Sequence, residues 1–178
     1  RLFMALRARA PASMGALVEA GDAWIVSNSP ERLLSVTLGT EGGPDIARSS
    51  PIKGTRRRRR TVTEDADAIA ELCASPKERA EHVMIVDLVR SDLGRCAVAG
   101  SVRASSTPRV VSLPTVHHMV TDVECELREG WSLRTLIEAV FPGGSVTGAP
   151  KRRTMEIIDT LEHGRRETPG GALVEWHA

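Results

Sequence analysis

The sequence has little of several features that would each point to a class of protein. Its 178 residues include two Phe, three Trp and no Tyr, so a core must be built from Leu, Val, Ile, Ala and Met. No apolar run approaches the length of a bilayer span and no signal peptide is visible, which predicts no membrane partner and a cytoplasmic location. Cys73, Cys96 and Cys125 have neither metal-ligand nor disulfide-framework spacing.

The charge balance is close to neutral. Lys and Arg number 24 against 23 acidic residues, and a net charge of +1 gives no general attraction to nucleic acid. The run from Arg56 to Arg60 is the local exception, and it could form a nucleic-acid patch or a solvated loop. Because no aromatic residues interleave it, the solvated loop is the better interpretation, and we expect no nucleic-acid partner.

Hydrophobic periodicity and turn residues predict an α+β fold, since strands come in groups with helices between them. Helices are expected over 2–9, from Thr63 to near Pro76, over 77–93 and 132–140, and from Pro150 to about Leu161. Strands are expected over 14–20, 23–28, 33–38, 101–111 and 115–127, and residues 141–149 are expected to form a loop.

The most informative run is Ser50–Thr55, in which one lysine stands between a proline and a Gly-Thr step. Pro51 fixes its own φ and Gly54 allows close backbone approach, so the run predicts a stiff loop that presents Lys53. A lysine amine that loses its proton on desolvation becomes a nucleophile toward carbon.

The glycine-rich segment 141–149 precedes a helix whose first turn carries Lys151 and Arg152. These cations oppose the helix dipole, and an anionic ligand at the N-terminus would resolve the conflict. A phosphate-binding loop needs Gly-Lys-Ser/Thr in succession, but Ala149 and Pro150 separate Gly148 from the lysine. A carboxylate-binding loop is therefore favoured, and a plain connector is the remaining alternative.

Three further side chains have both a structural and a chemical interpretation. Glu81 lies on the same helix face as Ile85, so it is either a rim residue or a ligand of a hard cation such as Mg²⁺. His118 shares a strand face with Val120, and a histidine in a strand is more often structural than catalytic. Glu31 follows a strand and could be a surface turn residue.

Taken together, these segments resemble the chorismate-utilising enzymes, the family of anthranilate synthase component I, aminodeoxychorismate synthase component I and isochorismate synthase. The resemblance runs from about Leu2 to Leu173 and is carried by several motifs in order: Ser29–Arg32, Pro51–Thr55, Arg79–Arg95, Val116–His118 and Phe141–Lys151. In that family the residue before Gly-Thr is typically alanine in anthranilate synthases and lysine in the folate-branch enzymes. Lys53 therefore makes the chain look like an aminodeoxychorismate synthase component I.

The resemblance implies a fold of two packed β-sheets with outer helices, a substrate, chorismate, and roles for individual residues. Lys53 would attack C2 of chorismate as the C4 hydroxyl leaves, and ammonia would then add at C4. Glu31 would be the general acid, His118 would lie near the ring carboxylate and the leaving hydroxyl, and Glu81 would bind Mg²⁺. The positions that would line or hold the substrate are Gly54, Thr55, Gly144, Ser145, Thr147, Gly148 and Lys151.

The resemblance also implies a partner, a glutamine amidotransferase subunit that supplies ammonia. Residues 1–178 are expected to be a partial chorismate-binding catalytic domain, because the amino-terminal half of the family and a second Mg²⁺-binding glutamate have no counterpart here. The stretch Glu167–Gly171 fits the family pattern poorly, and open sheet edges predict poor solubility. Rival functions are anthranilate or isochorismate synthesis, or a non-catalytic remnant that docks the amidotransferase.

Overall fold

The computed structural model of the chain describes residues 1–162. The helices are α1 (Leu2–Arg9), α2 (Val62–Ala74), α3 (Pro76–Gly94), α4 (Leu133–Val140), α5 (Gly144–Thr147) and α6 (Lys151–Leu161). The strands are β1 (Met14–Ala20), β2 (Ala23–Ser29), β3 (Arg32–Thr37), β4 (Ile46–Ser50), β5 (Ile52–Arg57), β6 (Arg103–Ala104), β7 (Arg109–Ser112), β8 (Val116–Val120) and β9 (Val123–Glu126). Helices and strands occur in separate groups, which confirms the predicted α+β class.

The strands form antiparallel sheets that are joined at one junction. One sheet has the order β3-β4-β9-β6 and another the order β5-β8-β7, while β1 and β2 form a hairpin. The chain leaves β4 for β5 at Pro51, and it leaves β8 for β9 at Thr121 and Asp122. The amide of Thr121 donates to the carbonyl oxygen of Pro51 at 3.4 Å, so the two crossing points lie side by side.

Helix α3 lies across both sheets and forms much of the core with them. It contacts β5 of the three-stranded sheet and β9 of the four-stranded sheet, and α4 packs against it. Leu93 of α3, Val123 of β9 and Leu136 of α4 are each fully buried in the main apolar cluster. Burial of aliphatic side chains stabilises this layer by about 1.5–3 kcal/mol for each Leu or Val. The scarcity of aromatic residues is therefore reflected in an aliphatic core.

Capping residues account for the starts of α2 and α3, and the predicted start of α2 is corrected. Helix α2 begins after Thr61, whose hydroxyl accepts from the Glu64 amide at 3.2 Å while the Glu64 carboxylate accepts from the Thr61 amide at 3.4 Å. This capping box, rather than Thr63, sets the start because it satisfies donors on both residues. Ser75 caps α3 and Pro76 takes its first position, as is typical of helix N-termini.

The predicted strands over 101–111 and 115–127 are each divided in the structure. The first contains β6 and β7 and the second β8 and β9, and the members of each pair belong to different sheets. Sequence alternation cannot indicate which sheet a strand joins, because both sheets use the same two-residue period. The predicted loop 141–149 also contains the short helix α5, and Pro150 precedes the first residue of α6 rather than occupying it.

The interpretation of Arg56–Arg60 as a solvated loop is wrong for three of its arginines, because Arg56 and Arg57 lie on β5 and Arg58 is ion-paired. Arg56 lies on β5 and pairs with Glu71 of α2 at 2.9 Å and with Glu78 of α3 at 3.0 Å. The guanidinium of Arg58 pairs with Asp65 at 2.7 Å. These contacts hold helices against the sheet, and they neutralise charge that a nucleic-acid patch would need.

The β1–β2 hairpin has an exposed apolar side. Within residues 1–162 the two strands pair only with each other, and Trp24 is 61% exposed.

None of the helices in residues 1–162 combines the length and apolar character that a bilayer crossing requires.

Candidate active site

Lys53 lies in a β-bulge near the start of β5, so the predicted loop is wrong and a distorted strand takes its place. Ile52 pairs with Val120 and Thr55 with His118, which leaves Lys53 and Gly54 opposite the single residue between those partners. Gly54 has a φ of +92°, a conformation that strongly favours glycine. A bulge redirects side chains and is often found beside active sites. The structure therefore fixes the lysine more firmly than a loop would.

Gly54 also faces a crowded environment. A Cβ at this position would lie 3.1 Å from Leu72 Cδ1 and 3.3 Å from Glu78 Oε2. Side chains of α2 and α3 therefore approach this glycine closely. The positive φ and the limited space both disfavour a larger residue here.

Glu31 is connected to the start of β5. Its Oε1 atom accepts a hydrogen bond from the Ile52 amide at 3.3 Å. A local turn directs it there, because the Ser29 hydroxyl accepts from the Glu31 amide at 3.2 Å. Burial raises the pKa of the Glu31 carboxyl, although the Ile52 hydrogen bond and the nearby Lys53 ammonium partly offset that effect. A carboxyl group with a raised pKa suits a general acid.

A narrow first cleft gathers Glu31 with part of the glycine-rich segment. Its cavity volume is about 20 Å³, and its walls include Glu31, Asp92, Gly144 and Ser145. This volume is close to that of one water molecule. Gly144 is buried against Leu88 of α3, and a Cβ there would overlap that side chain. The glycine therefore lets α5 approach α3 closely.

Lys151 has a protein partner that sequence analysis missed. Its ammonium lies 2.5 Å from a carboxylate oxygen of Asp92 on α3, and it also donates to the Val140 carbonyl at 3.4 Å. Asp92 thus supplies negative charge beside this cation at the start of α6. No local signal indicates the pair, because 59 residues separate its members.

Two other predicted substrate-lining residues make contacts within the glycine-rich segment. The Thr147 hydroxyl donates to the Gly143 carbonyl at 3.4 Å, one turn earlier. Gly148 ends α5 with a φ of +87°, and its carbonyl accepts from the Thr154 hydroxyl at 3.4 Å. Both residues therefore shape the turn between α5 and α6.

His118 and Thr55 form a pair on the three-stranded sheet. Thr55 Oγ1 lies 2.9 Å from His118 Nδ1 across β5 and β8. Burial lowers the pKa of His118, and a hydrogen bond with the Gly54 backbone partly offsets this, so the ring is neutral at physiological pH. The predicted alternation is confirmed, because His118 and Val120 line the same cleft while His117 is fully buried on the opposite face.

This second cleft is the larger one and carries positive charge. Its cavity volume is about 240 Å³, and its walls include His118, Arg32 and Arg109. Arg109 also pairs with Asp122 at 3.3 Å. The cleft is large enough for a small organic anion, which two guanidinium groups would attract.

The two clefts lie on opposite sides of one extended segment. Ser49 and Pro51 line the first cleft, whereas Ser50 and Ile52 line the second. Because successive side chains of an extended chain point to opposite sides, the segment separates the clefts. Within residues 1–162, Glu31 and His118 consequently occupy different clefts.

Glu81 lies on α3 with its side chain 41% exposed, at 3.9 Å from the Lys77 ammonium. This weak pairing leaves the carboxylate accessible. Residues 1–162 contain no cluster of three or more potential metal ligands. A site with one protein carboxylate still fits Mg²⁺, which is commonly held by one or two carboxylates together with substrate oxygens and water.

Two buried histidines also organise the sheet, namely His82, for which no role was predicted, and His117, which alternation places on the face opposite His118. His82 contacts the Lys53 carbonyl oxygen at 3.1 Å and Thr121 Oγ1 at 2.7 Å. His117 Nδ1 lies 2.8 Å from the Ser112 hydroxyl, and its Nε2 lies 2.9 Å from Asp65. The local signal for His82 was its position directly after Glu81.

Comparison with known proteins agrees with this architecture. A family model described as chorismate binding enzyme matches residues 1–178. The chain therefore belongs to the chorismate-binding enzyme family.

The similar proteins include aminodeoxychorismate synthases and anthranilate synthases. The chain is 47% identical over 171 residues to an aminodeoxychorismate synthase of Streptomyces griseus, covering 96% of this chain and 23% of that protein. It is 46% identical over 171 residues to an anthranilate synthase component 1 of Haloarcula marismortui, covering 96% of this chain and 33% of that protein. Aminodeoxychorismate synthase component 1 of Bacillus subtilis is 43% identical over 173 residues, which are 97% of this chain and 36% of that protein. The chain thus spans only a quarter to about a third of these relatives.

Solved structures share the fold. Anthranilate synthase component I of Streptococcus pneumoniae superposes with a TM-score of 0.76 at 32% identity, over 90% of this chain and 33% of that one. A 2,3-dihydroxybenzoate-specific isochorismate synthase of Bacillus anthracis gives a TM-score of 0.67 at 25% identity, over 84% of this chain and 39% of that one. The names of these structures describe more than one activity, so the shared fold does not identify the reaction and the site residues must be considered.

Proposed function

We propose that this chain is the part of an aminodeoxychorismate synthase component I that contains the nucleophile. The enzyme is a transferase that converts chorismate and ammonia into 4-amino-4-deoxychorismate, a precursor of para-aminobenzoate and folate. The observation that carries the proposal is Lys53, held in the bulge of β5 beside Gly54 and next to Ile52, whose amide binds Glu31. The names of the Streptomyces griseus and Bacillus subtilis relatives support it.

In the proposed reaction, the Lys53 ammonium first loses a proton to solvent, and the resulting amine forms a bond to C2 of chorismate. The ring double bonds shift, the C4–O bond breaks, and the hydroxyl leaves as water with a proton from Glu31. Ammonia then bonds to C4, the double bonds shift back, and the C2–N bond breaks to release Lys53. A proton from the added ammonia returns to Glu31, so both side chains are regenerated. A covalent intermediate replaces one difficult displacement with two easier steps.

The environment of Glu31 supports its role as proton donor. Burial raises the pKa of its carboxyl group, so a larger fraction stays protonated near neutral pH than for an exposed glutamate. The hydrogen bond to the Ile52 amide places the carboxyl group one residue from the nucleophile. General acid catalysis of this kind contributes about 10²–10⁴-fold to a rate.

The remaining predicted residues would bind and orient chorismate. Glu81 would hold a Mg²⁺ ion, which when bound supplies positive charge to the ring carboxylate. From the second cleft, His118 would contact the substrate near its ring carboxylate, across the extended segment from Glu31. The other proposed binding residues are Gly54, Thr55, Gly144, Ser145, Thr147, Gly148 and Lys151, and Lys151 would act while it pairs with Asp92.

The nitrogen donor would be a glutamine amidotransferase subunit, because component 1 enzymes imply a second component that supplies ammonia. The chain matches 23% to 36% of the length of its named relatives. The activity and the partner are therefore proposed for the full-length protein.

Anthranilate synthesis is the second candidate, because a relative of that name is 46% identical. Lys53 argues against it, since the family resemblance associates alanine at this position with anthranilate synthases. The two candidate activities are distinguished by the product that the full-length protein makes from chorismate and ammonium in the presence of Mg²⁺. We expect 4-amino-4-deoxychorismate.

The lysine assignment is tested with Lys53→Ala in the same assay. We expect a loss of at least about 100-fold in kcat, because the covalent route is removed. Lys77→Ala is the matched control, since that lysine is 81% exposed, and it should keep wild-type turnover at saturating Mg²⁺. Unchanged product formation by Lys53→Ala would show that the lysine is not the nucleophile.

A further inference from the structure

His82 is a buried histidine on α3 that contacts Thr121, at one crossing point between the two main sheets, and Lys53, two residues after the other crossing point at Pro51. Its side chain is among the largest that are fully buried, with 1% exposed. Nδ1 lies 3.1 Å from the carbonyl oxygen of Lys53, and Nε2 lies 2.7 Å from Thr121 Oγ1. A carbonyl oxygen can only accept, so Nδ1 carries the hydrogen and donates it to the Lys53 carbonyl.

The hydrogen bond meets a need created by the bulge. Residues in a bulge lose their regular partners on the neighbouring strand. Lys53 and Gly54 are the two residues that fall out of register with β8. A buried carbonyl without a partner costs about 1–3 kcal/mol. His82 supplies the missing donor from a helix instead of a strand.

The same contact fixes the peptide plane that follows the lysine. The Lys53 carbonyl belongs to the peptide bond with Gly54, whose φ is +92°. Holding that oxygen therefore sets ψ of Lys53 and stabilises the unusual φ of Gly54. With this peptide plane held, ψ of Lys53 determines the direction in which its Cα–Cβ bond points, and φ of Gly54 determines how the strand continues.

Thr121 anchors the other end of this short segment. Its amide donates to the Pro51 carbonyl at 3.4 Å, and its hydroxyl contacts His82. Thr121 is 3% exposed. The carbonyls of Pro51 and Lys53, on either side of Ile52, are thus held by two residues that contact each other.

We propose that His82 is a positioning residue for Lys53, acting through its hydrogen bond to the Lys53 carbonyl. This inference rests on the proposed function, in which Lys53 attacks chorismate. His82 directly follows Glu81 on α3, so one turn of helix fixes the nucleophile relative to the proposed Mg²⁺ carboxylate. A displacement of about 1 Å at a reacting group can cost about 100-fold in rate.

Two substitutions separate the contacts of the histidine. His82→Asn keeps an N–H group near the Nδ1 position and should retain kcat within about 3-fold. His82→Gln keeps a polar group near the Nε2 position but loses the donor to Lys53. We expect it to lower kcat by about 10- to 100-fold while KM for chorismate stays within about 2-fold, because substrate contacts are unchanged.

A second readout requires no chorismate. Acetylation of the full-length protein, followed by peptide mass spectrometry, gives the reaction rate of Lys53 relative to the exposed Lys77. We expect His82→Gln to change this ratio several-fold and His82→Asn to restore it. Thr121→Val, with Thr121→Ser as its control, should change the ratio in the same direction and provides the test if His82→Gln does not fold.

The outcomes are distinct. Equal losses of kcat in His82→Asn and His82→Gln, with an unchanged acetylation ratio, would overturn the positioning role and leave His82 as a packing residue. Full activity of Lys53→Ala would instead overturn the proposed function. In that case an altered ratio in His82→Gln that Asn restores would still establish that His82 orients the lysine.

Discussion

The ammonium of Lys151 lies 2.5 Å from a carboxylate oxygen of Asp92, and only 14% and 10% of the two side chains are exposed. Burial raises the pKa of Asp92 even though Lys151 lowers it, so desolvation outweighs the attraction between the charges. The pair joins the start of α6 to α3 beside the first cleft. The pair therefore holds the end of the glycine-rich segment against α3.

Removing one member of this pair should be costly. We expect Lys151→Met to lower the free energy of unfolding by about 3 kcal/mol, because a buried carboxylate is left without its partner. The double substitution Asp92→Leu, Lys151→Met should recover most of that loss. Equilibrium urea unfolding of the full-length protein measures both. Arg152→Met is the control, since that side chain is 96% exposed, and it should change stability by less than about 0.5 kcal/mol.

Gly54→Ala should destabilise the protein by about 2 kcal/mol and reduce turnover. The backbone strain at a φ of +92° and the contact with Leu72 at 3.1 Å act together. Gly21→Ala is the matched control, because its φ is +65° and nothing lies within 4 Å of the added Cβ. Equal losses of unfolding free energy in the two variants would contradict the role of the Leu72 contact.

Gly144→Ala should push α5 away from α3, because the added methyl group overlaps Leu88. We expect a loss of about 1–3 kcal/mol, as for other overpacked sites. Leu88→Ala creates space at that point, so the double variant should be less destabilised than the sum of the single variants. Additive effects in urea unfolding would mean that the two residues do not pack against each other.

Glu31→Gln should make stability less dependent on pH. The pKa of Glu31 in the folded protein is raised above 4.5, so the unfolded chain loses this proton first as the pH rises. Folding stability from this group is therefore greatest at low pH and falls as the pH rises from about 4.5 through the folded-state pKa. The stability of Glu31→Gln relative to wild type should rise over that window and then level off.

The check is urea unfolding at several pH values from about 4 to about 8. Glu41→Gln provides a comparison, because that glutamate lies in an exposed turn. A parallel pH profile for both variants would show that burial does not perturb Glu31.

Much of the fold could be predicted because its signals are local. The strand pair 14–20 and 23–29, the helix 133–140 and the proline at the start of α3 follow from alternation, periodicity and helix capping. Features that depend on residues far apart in the chain could not be predicted in this way. Nothing in residues 101–127 indicates that successive strands cross between sheets, because alternation is the same in each.

The candidate site likewise has features that the sequence predicts and features that only the tertiary structure shows. Residue type and motif order predict Lys53, Glu31, His118 and Glu81 as site residues, since their chemistry is intrinsic to the side chains. The bulge, the Asp92–Lys151 pair and the separation of the clefts arise from contacts between residues far apart in the chain.

The sequence by itself determined the aliphatic core, the near-neutral charge, the α+β class and the motif that places one lysine before Gly-Thr. These depend on composition and on neighbours within a few residues. Only the tertiary structure decided that this lysine lies in a bulge, that His82 binds its carbonyl, and that Lys151 pairs with Asp92. The physical reason is that a hydrogen bond or an ion pair depends on distance in space, and here the partners are 29 and 59 residues apart.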